Sequence, residues 1–272
     1  MSVDAGVAGT ARFLRGHDRT LLSRLEDAGL NASAPPQQRW MDGWLVRTCP
    51  GKAQRARCIN AVAVGRRPVA EKLAEARALY RALHLPLLVR ITPFTQPPDL
   101  EEQLEAAGFA FHDDTRVMSL ARIDPAALGA GALPAGTAWA EVTPAVYAEA
   151  VGGLRGSSPE ARRAHAERLL SSPVPYRGFV LSRDGAALAC GQIAQESDLV
   201  GLYDIATAAG QQRQGLGTWL CKRLLTIAAS DGSSRSAYLQ VGAENEAARR
   251  VYRRLGFTDA YTYHYRAEAV AA

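Results

Sequence analysis

The chain has 272 residues, 47% of them hydrophobic and 22% charged, which is globular composition and long enough for one large domain or two of common size. Its 32 Lys and Arg against 27 Asp and Glu leave a net charge of +5, suited to an anionic ligand, but no basic block interleaved with aromatics marks a nucleic-acid surface. No apolar run approaches the roughly 18 residues of a bilayer span, and Asp4, Arg12, Arg15 and Asp18 interrupt any signal-peptide core, so a cytoplasmic protein without membrane contact is expected.

Taken in chain order, residues 8–30 are predicted to form one or two helices covering a sheet edge. A strand follows over 43–47, then the turn Val64-Gly-Arg-Arg-Pro-Val69 and a helix over 69–83. Cys49, Cys58, Cys190 and Cys221 form no CxxC pair and have no His at ligand spacing. They read as free thiols, and no metal site is expected. Residues 87–91 read as a strand, 99–109 as a helix closed by Gly108-Phe109, and 115–121 as another strand. Residues 123–137, rich in Ala, Gly and Pro, read as a linker.

Beyond it the same order returns. A strand candidate at 179–182 leads to a β-prone segment over 202–206, a helix over 216–229 and a strand over 237–241. A second helix begins near Asn245 and ends at Gly256-Phe257, and a strand follows over 260–266. Both halves close as strand, helix, Gly-Phe, strand, with Gly108 and Gly256 placed as left-handed C′ residues. An internal duplication of one α/β unit is expected, divided as 1–122, 123–137 and 138–272.

The chemistry concentrates after residue 206. Thr207-Ala-Ala-Gly-Gln-Gln-Arg-Gln-Gly-Leu-Gly-Thr218 carries the chain from a strand into a helix, which aims unpaired amides and the positive end of a helix dipole at one point. Such a point binds an anion, most often a phosphate. The glycines let backbone approach a ligand closely. The matching turn at 64–69 lacks the glycine pair and is not expected to bind a pyrophosphate in this manner. Downstream, Asn245 and Tyr252 lie on one helical stripe about two turns apart. Taken alone, Asn245 is as well explained as a helix N-cap, Tyr252 as a core aromatic, and Trp219 as core.

Gln212-Arg-Gln-Gly215-Leu-Gly217, followed by Asn245-Glu-Ala-Ala248-Arg-Arg-Val-Tyr252 and Leu255-Gly-Phe257, resembles the GNAT superfamily of N-acetyltransferases over residues 179–266. The resemblance implies an α/β fold of two GNAT-like domains, each a mixed, mostly antiparallel central sheet flanked by helices, the N-terminal copy degenerate. It also implies acetyl-CoA as co-substrate. The amides of Gln212, Arg213, Gln214, Gly215, Leu216 and Gly217 would hold its pyrophosphate, with the Thr218 hydroxyl as a further donor. Ile205, Ala206 and Thr207 would supply backbone groups to the pantetheine arm and the thioester oxygen, Asn245 would bond the arm, and Tyr252 would protonate the departing thiolate.

The acceptor would be a small-molecule or peptide amine, with the protein a monomer or homodimer. Asp204 and Glu196 are candidates for the general base, though each reads more readily as a solvated strand-edge carboxylate. His264 reads as a surface or interface residue, and no base is assigned. Trp40, Trp44 and Phe94 would line the acceptor site if the first half shapes it. Two other readings stay open. One is a non-catalytic acyl-CoA-binding module. The other is a dinucleotide-binding domain, which lacks a third glycine and a following acidic residue.

Overall fold

The computed structural model describes residues 11–14, 18–129, 131–231 and 234–268. In the first half, α1 (Arg19–Ala32) is followed by β1 (Gln38–Met41), β2 (Trp44–Arg47), β3 (Ile59–Ala61), α2 (Val69–Ala82), β4 (Leu88–Ile91), α3 (Leu100–Ala106) and β5 (Phe109–Leu120). A short α4 (Pro125–Leu128) precedes the second half: β6 (Ala138–Val142), α5 (Pro144–Leu154), α6 (Pro159–Ser171), β7 (Tyr176–Arg183), β8 (Ala186–Glu196), β9 (Leu199–Thr207), α7 (Leu216–Ser230), β10 (Ser236–Gly242), α8 (Glu246–Arg254) and β11 (Thr258–Glu268).

Local chemistry sets many of these boundaries. Thr143 and Ser158 accept hydrogen bonds from Val146 N and Ala161 N, and Pro144 and Pro159 follow them at the first helical position. After α3 and α8 the backbone turns left-handed at Gly108 (φ +84°) and Gly256 (φ +90°), as the Gly-Phe pairs require. Phe109 and Phe257 are buried beside those helix ends.

The strands form one 11-stranded sheet in the order β1-β2-β3-β4-β11-β5-β10-β9-β8-β7-β6. Two arrangements repeat in it. β3 and β4 are parallel with α2 between them in the chain, and β9 and β10 are parallel with α7 between them. The terminal strands are exchanged. β5 of the first half pairs antiparallel with β10, while β11 of the second half pairs antiparallel with β4, and the two lie side by side. The sheet therefore runs without a break across the division at 123–137.

That segment does not hang free. Ile123 and Leu128 join the core under α7, and the Trp219 indole N–H donates to the carbonyls of Gly131 (3.2 Å) and Ala132 (3.0 Å). Trp219 also meets Trp139 edge to face, so it serves packing, as read from the sequence. In the same core Leu220, Leu224 and Leu225 of α7 are wholly buried, each stabilising the fold by about 2 kcal/mol.

α1 covers a face of the sheet rather than an edge, packing Leu22, Leu25, Ala28 and Ala32 with Tyr203, Tyr238, Tyr261 and Tyr263. The part of that prediction falling on residues 8–10 and 15–17 lies outside the described residues. His264 also differs from expectation. It is buried, because β11 is an interior strand, and its Nε2 lies 2.8 Å from Glu101 Oε1.

Candidate active site

β9 and β10 pair only from Leu199–Ser236 to Leu202–Leu239, yet β9 runs on to Thr207 and β10 to Gly242. The strands part there. The cause lies in β9, where Asp204 and Ile205 together oppose the single residue Gly191 of β8, and Asp204 takes φ +51°. Such a bulge bends and twists its strand. Gly191 is what lets the bulge pack, since a Cβ there would stand 2.6 Å from Ile205 Cδ1 and 2.9 Å from Leu224 Cδ1. The opening is a cleft of about 860 Å³ whose walls come from β9, β10, α7 and α8.

One end of the cleft is the turn into α7. Gly215 stands at its N-cap with φ +81°, and no side chain among the described residues caps the helix. The Gly215 carbonyl accepts from Trp219 N (2.9 Å), which starts the helix and leaves the first amides without intrahelical acceptors. Gly215 is thus explained by its left-handed backbone. Gly217 has no such need, and a Cβ there would meet only Thr207 Oγ1, at 3.8 Å. Arg213, also left-handed at φ +62°, adds a cation to the same end.

Of the site residues expected from the sequence, Ile205, Thr207, Gln212, Arg213, Gly215, Leu216, Gly217, Thr218, Asn245 and Tyr252 all line this one cleft. Ala206 and Gln214 do not. Ala206, one residue out of phase with Ile205 and Thr207, points to the other face of the sheet and packs with Tyr147 and Cys190. Gln214 faces a neighbouring cavity beside Trp219 and donates to Gly210 O (3.4 Å). Asn245 caps α8, its Oδ1 accepting from Ala248 N at 3.1 Å, so it stands at the cleft as an N-cap. Tyr252 is buried against Phe257, and burial, helped by the Cys221 sulfur, pushes its phenol well above the usual tyrosine range. Cys221 lies in the same cleft, its thiol pushed up to about 12 by burial.

Asp204 lines the cleft at the bulge. Its carboxylate accepts from Arg155 Nη1 (2.8 Å) and Gln192 Nε2 (2.8 Å), and His165 Nε2 lies 3.3 Å away. Burial alone would raise its pKa, but His165, Arg155 and Arg168 outweigh it and hold the carboxyl far below the ordinary value. A carboxylate held this way is a poor base. Glu196, at the far end of β8, accepts from Asn31 Nδ2 (3.0 Å) and does not line the cleft.

The first half does reach the cleft, but through other residues than expected. Trp44 is wholly buried in the first-half core, Trp40 is exposed, and Phe94 packs edge to face with Phe13 and Tyr261. The residue that enters is Arg55, whose Nη1 donates to Gln240 Oε1 (2.6 Å) and the Tyr263 hydroxyl (3.1 Å). It stands in a 3₁₀ turn, Gln54–Ala56, and nothing in its sequence neighbours marks it.

The turn before α2, which holds the corresponding place in the first half, is closed by the chain itself. The Asp42 carboxylate accepts from Arg66 N (2.9 Å) and Arg67 N (2.8 Å), and the buried Lys72 ammonium stands 3.7 Å from it. The amide hydrogen bonds of Arg66 and Arg67 hold Asp42 below the usual carboxylate range. Beside it, Gln96 N donates to the β3 carbonyl of Ala61 (2.9 Å), bringing the chain after β4 against the end of β3.

Residues 144–257 match the acetyltransferase (GNAT) family. The chain is 26% identical over 231 residues to the uncharacterized N-acetyltransferase YobR of Bacillus subtilis (strain 168), covering 84% of this chain and 91% of that protein. Its fold is similar to that of a GCN5-related N-acetyltransferase from Kribbella flavida, with a TM-score of 0.65 at 19% identity over 92% of this chain and 96% of the other. It is also similar to that of a tandem GNAT protein from the clavulanic acid biosynthesis pathway, with a TM-score of 0.63 at 18% identity over 88% and 86% of the respective chains. The matched segment contains β9, the turn into α7, β10 and α8, the elements that wall the cleft. The family match thus falls on the half of the chain that carries the cleft.

Proposed function

We propose that the protein transfers an acetyl group from acetyl-CoA to a primary amine of a small molecule or peptide, by direct attack of the amine on the thioester. The observation that carries this reading is the single cleft, which joins an uncapped helix start at one end to Tyr252 and the bulge of β9 within. The amides of the turn from Gln212 to Gly217 and the Thr218 hydroxyl suit the pyrophosphate. The free edge of β9 at Ile205 and Thr207 suits the pantetheine arm, and an amide there suits the thioester oxygen. The cleft side of Asn245 would bond the arm.

In the reaction the ammonium first loses a proton to solvent. The amine nitrogen then attacks the thioester carbon, the new C–N bond forms and the C–S bond breaks. Tyr252 gives its proton to the departing sulfur and regains one from solvent, while the amide nitrogen sheds its excess proton. One proton is released overall. The raised pKa of Tyr252 keeps the phenol protonated and available as the acid. Cys221 is a poor nucleophile while its thiol titrates near 12, which favours direct transfer over an acyl-enzyme.

Calorimetric titration with acetyl-CoA tests the reading. One site per chain is expected, and Gly217→Glu, which adds a carboxylate to the phosphate end, should weaken it by at least roughly 100-fold. Absence of binding by the unaltered protein would overturn the assignment. Binding without turnover of any amine would leave the acyl-CoA-binding reading in its place.

A further inference from the structure

A second cavity, of about 340 Å³, adjoins the cleft and shares Arg55, Tyr203, Asp204 and Gln240 with it. Its charges are unevenly distributed. Asp113 and Glu244 line it but are exposed, on its solvent side, and Asp204 is committed to Arg155, Gln192 and His165. Arg55 and Arg168, both half-buried, line it as well, and neither forms an ion pair within 4.0 Å with a described carboxylate. Arg55 Nε is moreover buried with no hydrogen-bond partner among the described residues.

The surroundings of Arg55 do not supply the missing anion. Arg90 takes the carboxylate of Glu26 with both terminal nitrogens, at 2.5 and 3.0 Å, and the Tyr261 hydroxyl donates to the same group at 2.7 Å. Among the described residues Arg47, buried next to this pair, donates only to neutral oxygens: Gln38 Oε1 (3.1 Å), Ser33 Oγ (3.1 Å) and the carbonyls of Leu30 (2.8 Å) and Arg55 (3.2 Å). One buried carboxylate thus serves a group of three arginines, Arg47, Arg55 and Arg90. A desolvated guanidinium with an unused donor is stabilised by an anion brought in from outside, and a carboxylate matches its planar fork.

We propose that the acceptor amine also carries a carboxylate, seated between Arg55 and Arg168 in the second cavity so that the amine faces the cleft. The substrate class is then small amino acids and similarly short amino-carboxylates. The exposed Asp113 and Glu244 attract the ammonium to the opening, and the arginines within select the acid. The inference rests on the acetyl-transfer reading.

The test follows CoA release by the intact protein at saturating acetyl-CoA, with calorimetric binding of acetyl-CoA measured on the same preparation. The probes are the proteinogenic amino acids, each with its methyl ester and its decarboxylated amine, and spermidine as a carboxylate-free polyamine. At least one free amino acid should be acetylated with a kcat/KM roughly 100-fold or more above that of its ester. Arg55→Gln and Arg168→Gln should each erase most of that preference, the loss falling on KM for the free acid.

Because the preference is read on the unaltered protein, a variant that fails to fold does not blunt the test. Esters, decarboxylated amines or spermidine accepted as well as the acids would overturn the proposal. So would acetyl-CoA binding with no amino acid turned over. Failure of acetyl-CoA itself to bind is a different result, and overturns the acetyl-transfer reading on which this one stands.

Discussion

The turn before α2 and the turn before α7 occupy the same place in the order strand, turn, helix, parallel strand, and they treat an anion in opposite ways. The first is filled by the chain's own Asp42, held by two amides and a buried lysine. The second has no side-chain cap and opens on a cleft. At its turn the first half satisfies the backbone amides from within, through Asp42. The second half leaves that need to be met by what it binds. The same order of elements is closed by its own side chain in one half and opens on a cleft in the other.

The contrast can be broken at its strongest point by removing an internal anion. Glu26→Gln leaves Arg90 buried without a counter-charge and should lower stability by about 3–5 kcal/mol, measured by denaturant unfolding. The burial of Glu26 would raise its pKa, yet Arg90 and Tyr261 hold it below the ordinary value, so it is charged in the native state at neutral pH. In the receptive half, Tyr252→Phe should reduce kcat by about 100-fold while the calorimetric affinity for acetyl-CoA stays unchanged. An unaltered kcat would remove Tyr252 from the proton transfer.

Asp204→Asn probes the bulge that borders the cleft. The native pKa of Asp204 lies below its unfolded value, so its stabilisation is complete above about pH 4 and drains away as pH falls through the native value. The variant should be less stable by about 2 kcal/mol at pH 7, with the gap to the unaltered protein closing in acid. Thermal unfolding across pH 2 to pH 7 would follow it. The smallest effect sharpens the comparison itself. Asp42→Asn should lower the unfolding midpoint slightly and leave acetyl-CoA stoichiometry at one per chain, because the chain beside Ala61 still closes the first-half gap. A second binding event would show that Asp42 alone had closed that turn.

What could be read in advance was the chemistry written locally. The turn 207–218, the stripe from Asn245 to Tyr252 and the Gly-Phe helix ends depend on residues within a few positions of each other, and the structure brings the first two to one cleft. Strand alternation was legible too, and it explains why Ala206 faces away from Ile205 and Thr207. Long-range pairing was not legible. His264 is buried because β11 lies between two strands of the other half, and no local pattern in 260–266 announces those neighbours. Arg55 was missed for the same reason, since its hydrogen-bond partners Gln240 and Tyr263 lie far along the chain. Asp42 was missed because its tie to Arg66 and Arg67 spans a hairpin and a strand.

The exchange of β5 and β11 has a consequence for how such a chain can change over generations. Cut between residues 121 and 137, it yields two fragments, each holding the strand that completes the other's sheet. Trimming the gene down to residues 138–268 would strip β10 of a neighbour and leave β11 without either strand that flanks it. The first half is indispensable even though its own turn is closed by Asp42, because its last strand pairs with both β10 and β11 of the second half. Mutations are free to close the turn before α2, but deletion of the domain around it is barred by the weave of the sheet.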